Sequence, residues 1–321
     1  MNRILVAIVD PFLLALLATV GLAALFPATG PATVLVNHVA DAAIALLFFF
    51  HGAKLSRDAI LAGIGHWRLH LAVLASTFGL FPLLGLAAGL LPASVLSPVV
   101  ATGILYLCLL PSTVQSSIAF VSIAGGNVPA AICSASASNL LGIFITPLMV
   151  GLLMHTGGQA GISLAALEAI ILQLLVPFIA GHLARPLIGQ FVQKHKQTIS
   201  YTDRGSILLV VYSAFSAAMV EGLWHKVAPS DLLVISAASI MLLAMVLVAT
   251  ALTGRWLGFT VADRIVLVFC GSKKSLVSGV PMAGVLFPVA QVGLIILPLM
   301  IFHQIQLLVC TWLAARYRRS A

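Results

Sequence analysis

The sequence predicts an all-α integral membrane protein, and three observations carry that prediction. Of 321 residues, 61% are hydrophobic and only 7% are charged, whereas roughly a quarter are charged in an ordinary soluble domain. Mean hydropathy is +1.17. The apolar residues fall in long Leu/Ala/Val-rich runs, not in the short alternating segments of a transmembrane barrel. Eight acids and sixteen bases cannot cover a water-exposed surface of this size. A soluble enzyme, a disordered chain and a nucleic-acid binder are therefore excluded, despite a pI of 9.7.

A spanning helix needs about 20 largely apolar residues. Ten stretches qualify: 9–26, 34–51, 69–91, 97–123, 128–154, 164–185, 205–222, 231–253, 263–287 and 291–314. Arg3 precedes the first run, but Asp10 and Pro11 interrupt it and no small-residue cleavage site follows. It reads as span 1, not as a signal peptide.

The basic residues check the count, because Lys and Arg favour cytoplasmic loops. With both termini cytoplasmic, thirteen fall on that side: Arg3, Lys54, Arg57, Arg68, Arg185, Lys194, Lys196, Arg204, Arg255, Arg264, Arg316, Arg318 and Arg319. Lys226 alone falls opposite, and the remaining two lie within span 9. The net charge of +8 is then a topology signal, with anionic membrane lipids as its partners. Cys108, Cys133, Cys270 and Cys310 all sit within spans and form no CxxC pair. They read as small buried hydrophobes, and neither a metal nor another cofactor is expected.

The chain divides near Gly157, Gly158 and Gly161, giving residues 1–156 and 157–321 five spans each. An odd number per half makes any duplication inverted. Thr146-Pro147-Leu148-Met149-Val150 resembles Leu297-Pro298-Leu299-Met300-Ile301 near the end of the other half. The fourth span of each half is also interrupted, at 111–117 and 271–281. Paired broken segments in corresponding positions point to the binding site of a transporter.

In span 4, Pro111-Ser112-Thr113-Val114-Gln115-Ser116-Ser117 replaces the surrounding Leu, Ile and Val. Proline removes a backbone donor and clashes with the preceding turn. Unwound backbone at membrane depth persists only where protein or a water-filled cavity satisfies it. A kinked helix whose hydroxyls bond their own carbonyls also explains Pro and Ser/Thr, but explains Gln115 less well. Thr113 and Gln115 are therefore candidate substrate contacts.

In span 9, Gly271-Ser272-Lys273-Lys274-Ser275 is followed by Gly279-Val280-Pro281. Counting from Arg264, Lys273 lies about 14 Å into the membrane at roughly 1.5 Å per residue. A charge there costs roughly 2.5–3.5 kcal/mol on insertion scales. Neighbours on a helix point about 100° apart, so either one lysine snorkels or the backbone unwinds. The competing reading starts the span later, with both lysines at the interface. A half-helix beginning near Ser275 would turn its positive end toward the break, so amides, dipole and ammonium favour an anion. Ser272, Lys273, Lys274 and Ser275 are the candidate anion contacts. His303 and Gln304 on span 10 join them, with Gln306 nearby; helix–helix hydrogen bonding explains these three equally well. Ser134, Ser136, Ser138 and Asn139 on span 5 fit either a ligand site or the small-residue pattern of close helix packing. The histidines show no metal spacing. With no nucleophile–base pair, P-loop, HExxH or GxGxxG, no catalytic residue is assigned and the protein is read as a non-enzyme.

The run Leu110 to Ser117, the Gly125-Gly126-Asn127 turn, Ser272-Lys273-Lys274-Ser275-Leu276 with Gly279-Val280-Pro281, and Phe302-His303-Gln304-Ile305-Gln306-Leu307 together resemble the bile acid:sodium symporter family. The likeness runs along essentially the whole chain and is strongest to the bacterial relatives of the seventh vertebrate carrier. It implies ten helices in two inverted five-helix repeats, a panel domain (helices 1, 2, 6 and 7), a core domain (helices 3, 4, 5, 8, 9 and 10), and broken helices 4 and 9 crossing in the core. It also implies a bacterial inner membrane, alternating access and Na+ as a coupling ion. Residue by residue, Ser116 and Ser117 match the family's ion ligands after the helix-4 break, and Ser134, Ser138 and Asn139 fall near those of the next helix. The family's helix-9 acid is absent: its position holds Gly271 or Ser272, with lysines beside it. The expected function is a secondary transporter of a small organic anion, coupled to sodium or protons; the missing acid argues against sodium. The alternative is a membrane sensor or regulator that keeps the fold without transporting.

Overall fold

A computed structural model describes residues 11–54, 63–154, 168, 171–222 and 229–320. Among these residues every regular element is helical. In chain order they are α1 (Pro11–Leu25), α2 (Pro31–Lys54), α3 (Trp67–Gly89), α4 (Pro98–Leu109), α5 (Gln115–Ile123) and α6 (Val128–Leu153). They continue with α7 (Ile171–Lys194), α8 (Lys196–Val220), α9 (Pro229–Trp256), α10 (Val261–Gly271), α11 (Leu276–Leu286) and α12 (Val289–Ser320). Eight helical stretches among the described residues are long and apolar enough to cross a membrane, one being α10 and α11 taken together. Shorter apolar helices lie at Leu14–Leu25 and Pro98–Leu109.

The sequence sets the helix ends by ordinary means. Proline stands in the first turn of α4 and α6, where its missing N–H costs nothing. Asn127 caps α6 by accepting from the Ala130 N–H, and Thr260 caps α10 by accepting from the Asp263 N–H. Gly125 turns the chain between α5 and α6 at φ +74°, a conformation glycine takes without steric cost.

Three boundaries differ from the sequence expectation. The first interruption covers residues 110–114 and not 111–117, because Gln115, Ser116 and Ser117 already lie in α5. The basic stretch from Arg185 to Arg204 is not a loop. α7 runs to Lys194, α8 starts at Lys196, and His195 alone forms the turn. Charges do not end a helix when its last turns can hold them beyond the apolar core, and Pro186 is accommodated inside α7. The second interruption is also narrower than 271–281. Only residues 272–275 leave the helix, and Pro281 sits inside α11. The Gly157, Gly158 and Gly161 boundary, Arg3, Asp10, Arg57 and Lys226 lie outside the described residues.

The chain folds as two units. One contains α1, α2, α7, α8 and the segment Val280–Leu294. Within it α7 and α8 pack on α2. Gly52 of α2 and Gly181 of α7 lie against each other's backbones, where a Cβ would run into Phe178 O or Phe49 O. Lys54 pairs with Asp203, tying α2 to α8. The other unit holds α3 to α6, α9, α10, the start of α11 to Gly279, and α12 from Ile295. Its packed interior includes Leu69, Val73, Phe120, Val121, Phe269 and Cys310. Leu183, Leu187, Leu233, Trp256 and Trp312 are exposed; such surfaces suit hydrocarbon, and this is an integral membrane protein.

Candidate functional site

The first break follows from Pro111. The residue before a proline is driven out of the α region, and Leu110 is extended at φ −78°, ψ 155°. α4 ends there, leaving carbonyls without helical donors. Each finds another. Leu107 O accepts from Leu110 N–H, and Cys108 O and Leu110 O accept from Lys274 Nζ at 2.8 and 2.6 Å. Leu109 O accepts from Thr146 Oγ1 at 2.8 Å, and Pro111 O from Ser275 N–H at 2.9 Å.

The second break is satisfied in the same manner, by serines. The last four carbonyls of α10 accept from four hydroxyls: Val268 O from Ser272 (2.6 Å), Phe269 O from Ser117 (3.3 Å), Cys270 O from Ser112 (2.6 Å) and Gly271 O from Ser76 (2.8 Å). Gln306 of α12 brackets the Lys274 peptide, accepting from its N–H and donating to its C=O, both at 3.0 Å. The two interruptions thus meet and complete one another's hydrogen bonding.

Both lysine side chains are 0% exposed. Lys274 Nζ has its three protons directed at Cys108 O, Leu110 O and Thr77 O, and stands 4.1 Å from the centre of the Phe81 ring. Lys273 Nζ has no hydrogen-bond partner among the described residues and stands 3.8 Å from the centre of the Phe120 ring. A desolvated cation on an aromatic face gains about 2 kcal/mol, less than losing water costs it. The adjacent lysines therefore occupy different surroundings, one saturated with oxygen and one without.

The other expected site residues are distributed around the breaks. Ser116, Thr113 and Ser117 form a hydroxyl chain. Since Ser117 gives its proton to Phe269 O, it accepts from Thr113, which in turn accepts from Ser116. Ser116 is half-buried and Gln115, at the start of α5, is exposed. Ser275 caps α11 by accepting from Ser278 N–H. Ser138 accepts from Ser112 N–H, and Asn139 accepts from the Ser278 hydroxyl. Ser134 turns to His70 of α3. His303 bonds the Gln306 amide, and Gln304 is half-buried on the same helix. Among the described residues no group of His, Cys, Asp and Glu could hold a metal ion.

Ser76, Thr77, Phe81 and Phe120 do not stand out in the sequence, Ser112 and Thr146 appear there only within longer motifs, and Gln306 only beside His303 and Gln304. The signal for Ser76-Thr77 was a polar pair in an apolar span, followed by Pro82.

Interrupted helices that meet inside an apolar helical protein are the architecture of a membrane transporter. Residues 10–319 match the SBF-like CPA transporter family, and the chain belongs to it; this is the bile acid:sodium symporter type that the motifs resemble. The chain is similar to the "Putative symporter YfeH" of Escherichia coli K12, with 58% identity over 314 residues that cover 98% of this chain and 94% of the relative. It is 57% identical to the uncharacterized protein PA2026 of Pseudomonas aeruginosa over 310 residues, 97% of this chain and 93% of the relative. Sodium/bile acid cotransporter 7 of Rattus norvegicus is 26% identical over 307 residues, 92% of this chain and 89% of the relative.

Proposed function

We propose that the protein moves a small organic anion across a bacterial inner membrane by alternating access, coupled to an ion gradient. The observation that supports this most directly is the junction of the two breaks, with Lys273 and Lys274 buried there and no acid on either break. Positive charge without a carboxylate favours an anionic substrate. The substrate site comprises Thr113, Gln115, Ser272, Lys273, Ser275, His303 and Gln304; Lys274, expected among these contacts, instead has its ammonium held by three carbonyls. The exposed start of α5 at Gln115 supplies the backbone N–H groups of a helix N-terminus for the anion, and Lys273 supplies an ammonium that no oxygen among the described residues holds. Ser116, Ser117, Ser134, Ser138 and Asn139 are the hydroxyl and amide groups available to a coupling cation, sodium or proton.

The unit with α1, α2, α7 and α8 serves as the panel and the unit with both breaks as the core, the two halves of the chain being inverted repeats with both termini cytoplasmic. A non-transporting sensor is the alternative that the missing acid favours. Purified protein in liposomes, offered carboxylates, sulfate esters and phosphates under imposed sodium or proton gradients, separates these readings. Gradient-dependent accumulation of one anion class is expected. Binding without uptake or counterflow would establish the sensor instead.

A further inference from the structure

The three oxygens around Lys274 Nζ are orphans of two prolines. Cys108 O and Leu110 O lose helical donors because Pro111 ends α4: the Ser112 N–H that would reach Cys108 O goes to Ser138. Thr77 lies in a π turn, Ser76–Leu80, where the Phe81 N–H already serves Ser76 O. In that i→i+5 register the donor for Thr77 O would be residue 82, which is Pro82 and has no N–H. Three carbonyls from two elements therefore converge at 2.9, 2.8 and 2.6 Å on one point, with the Phe81 ring 4.1 Å away.

Neutral oxygens plus an aromatic face, with no carboxylate among these contacts, suit a monovalent cation of ammonium type. We propose that Thr77 O, Cys108 O, Leu110 O and the Phe81 ring form a monovalent-cation site that the chain fills with its own Lys274 ammonium. Lys274 is thus a tethered ion. Taking away the side chain leaves a site for a free cation of the same class: a primary alkylammonium, ammonium or an alkali-metal ion. In a transporter, such a built-in cation replaces a free sodium ion at this position. That consequence rests on the transport reading above, whereas the binding site does not.

The test is chemical rescue of Lys274→Ala in the full-length protein, read as thermal midpoint in detergent. Propylammonium restores the four atoms that the substitution removes. It is expected to raise the variant's midpoint progressively with the logarithm of its concentration, as a ligand of the folded state does. Smaller gains are expected with ammonium and none with 1-propanol, and the unsubstituted protein should not respond. Lys273→Ala should respond less, because that ammonium has no oxygen partner among the described residues. Equal rescue by 1-propanol, equal rescue of Lys273→Ala, or no rescue by any cation overturns the proposal. If Lys274→Ala is not recovered, Lys274→Met decides, since methionine fills similar volume without charge. A large loss of midpoint there, with little at Lys273→Met, supports the site; a midpoint equal to that of the unsubstituted protein overturns it. None of these outcomes depends on transport.

Discussion

Gln306 and Lys274 are joined through the backbone of the break: the glutamine amide accepts from the Lys274 N–H and donates to its C=O, each at 3.0 Å. Lys274 lies between the two helices, so this side chain substitutes for a strand or helix neighbour. Gln306→Ala strips partners from two buried backbone groups, each worth about 1–3 kcal/mol when left unsatisfied. The expected result is a marked fall in stability by thermal or denaturant unfolding in detergent. Gln306→Glu retains the acceptor and loses the donor, and should fall between the two. An unaltered midpoint for Gln306→Ala would show that water readily takes the place of the amide.

Ser112 and Gln115 stand three residues apart and should fail differently. Ser112 is buried and donates to Cys270 O, so Ser112→Ala leaves a buried carbonyl unpaired and should cost about 1–3 kcal/mol of stability. Gln115 is exposed, and Gln115→Ala should shift stability by no more than about 0.5 kcal/mol while raising the substrate concentration for half-maximal uptake. Measuring midpoint and uptake on both variants separates a residue that holds the break from one that meets the ligand. A fall in stability alone at Gln115 would contradict its assigned role.

Much of this arrangement was legible in the sequence, for physical reasons particular to a membrane. Pro111 and the lysines are costly inside apolar spans, so they announced both breaks. What stayed hidden was non-local. Nothing in the chain says that Ser76 serves Gly271, or Thr146 serves Leu109, because those partners are brought together only by packing. α12 is apolar on most of its surface, so its rotation was not readable, and His303 and Gln304 were favoured over the more buried Gln306. The stretch from Arg185 to Arg204 is the opposite case: its clustered charge predicts a loop, whereas α7 and α8 continue through it to a single turn residue.

In the α2–α7 unit, Gly52 and Gly181 permit a backbone approach that no other residue allows. The methyl group of Gly181→Ala would meet the Phe49 carbonyl, which cannot swing aside as a side chain would. Overpacking of this kind costs about 1–3 kcal/mol, and the helices must separate to relieve it. Both single substitutions should lower the thermal midpoint. Because one separation relieves both clashes, the double variant should lose less than the sum of the two. Full additivity would mean that the two glycines act independently.

Lys273 supplies the sharpest contrast between stability and function. Its ammonium is wholly buried, sits over Phe120 and has no oxygen partner among the described residues. Replacing a buried charge by an apolar residue of similar volume is often neutral or stabilising. Lys273→Met should therefore keep or raise the thermal midpoint. If this ammonium binds the anion, the same variant needs roughly tenfold more substrate for half-maximal uptake, equivalent to about 1.4 kcal/mol of lost interaction. Stability and affinity then move in opposite directions, as expected where a group is retained for function at the expense of the fold. A variant that is less stable yet transports normally would make Lys273 a structural residue and shift the anion site toward Gln115 and the start of α5.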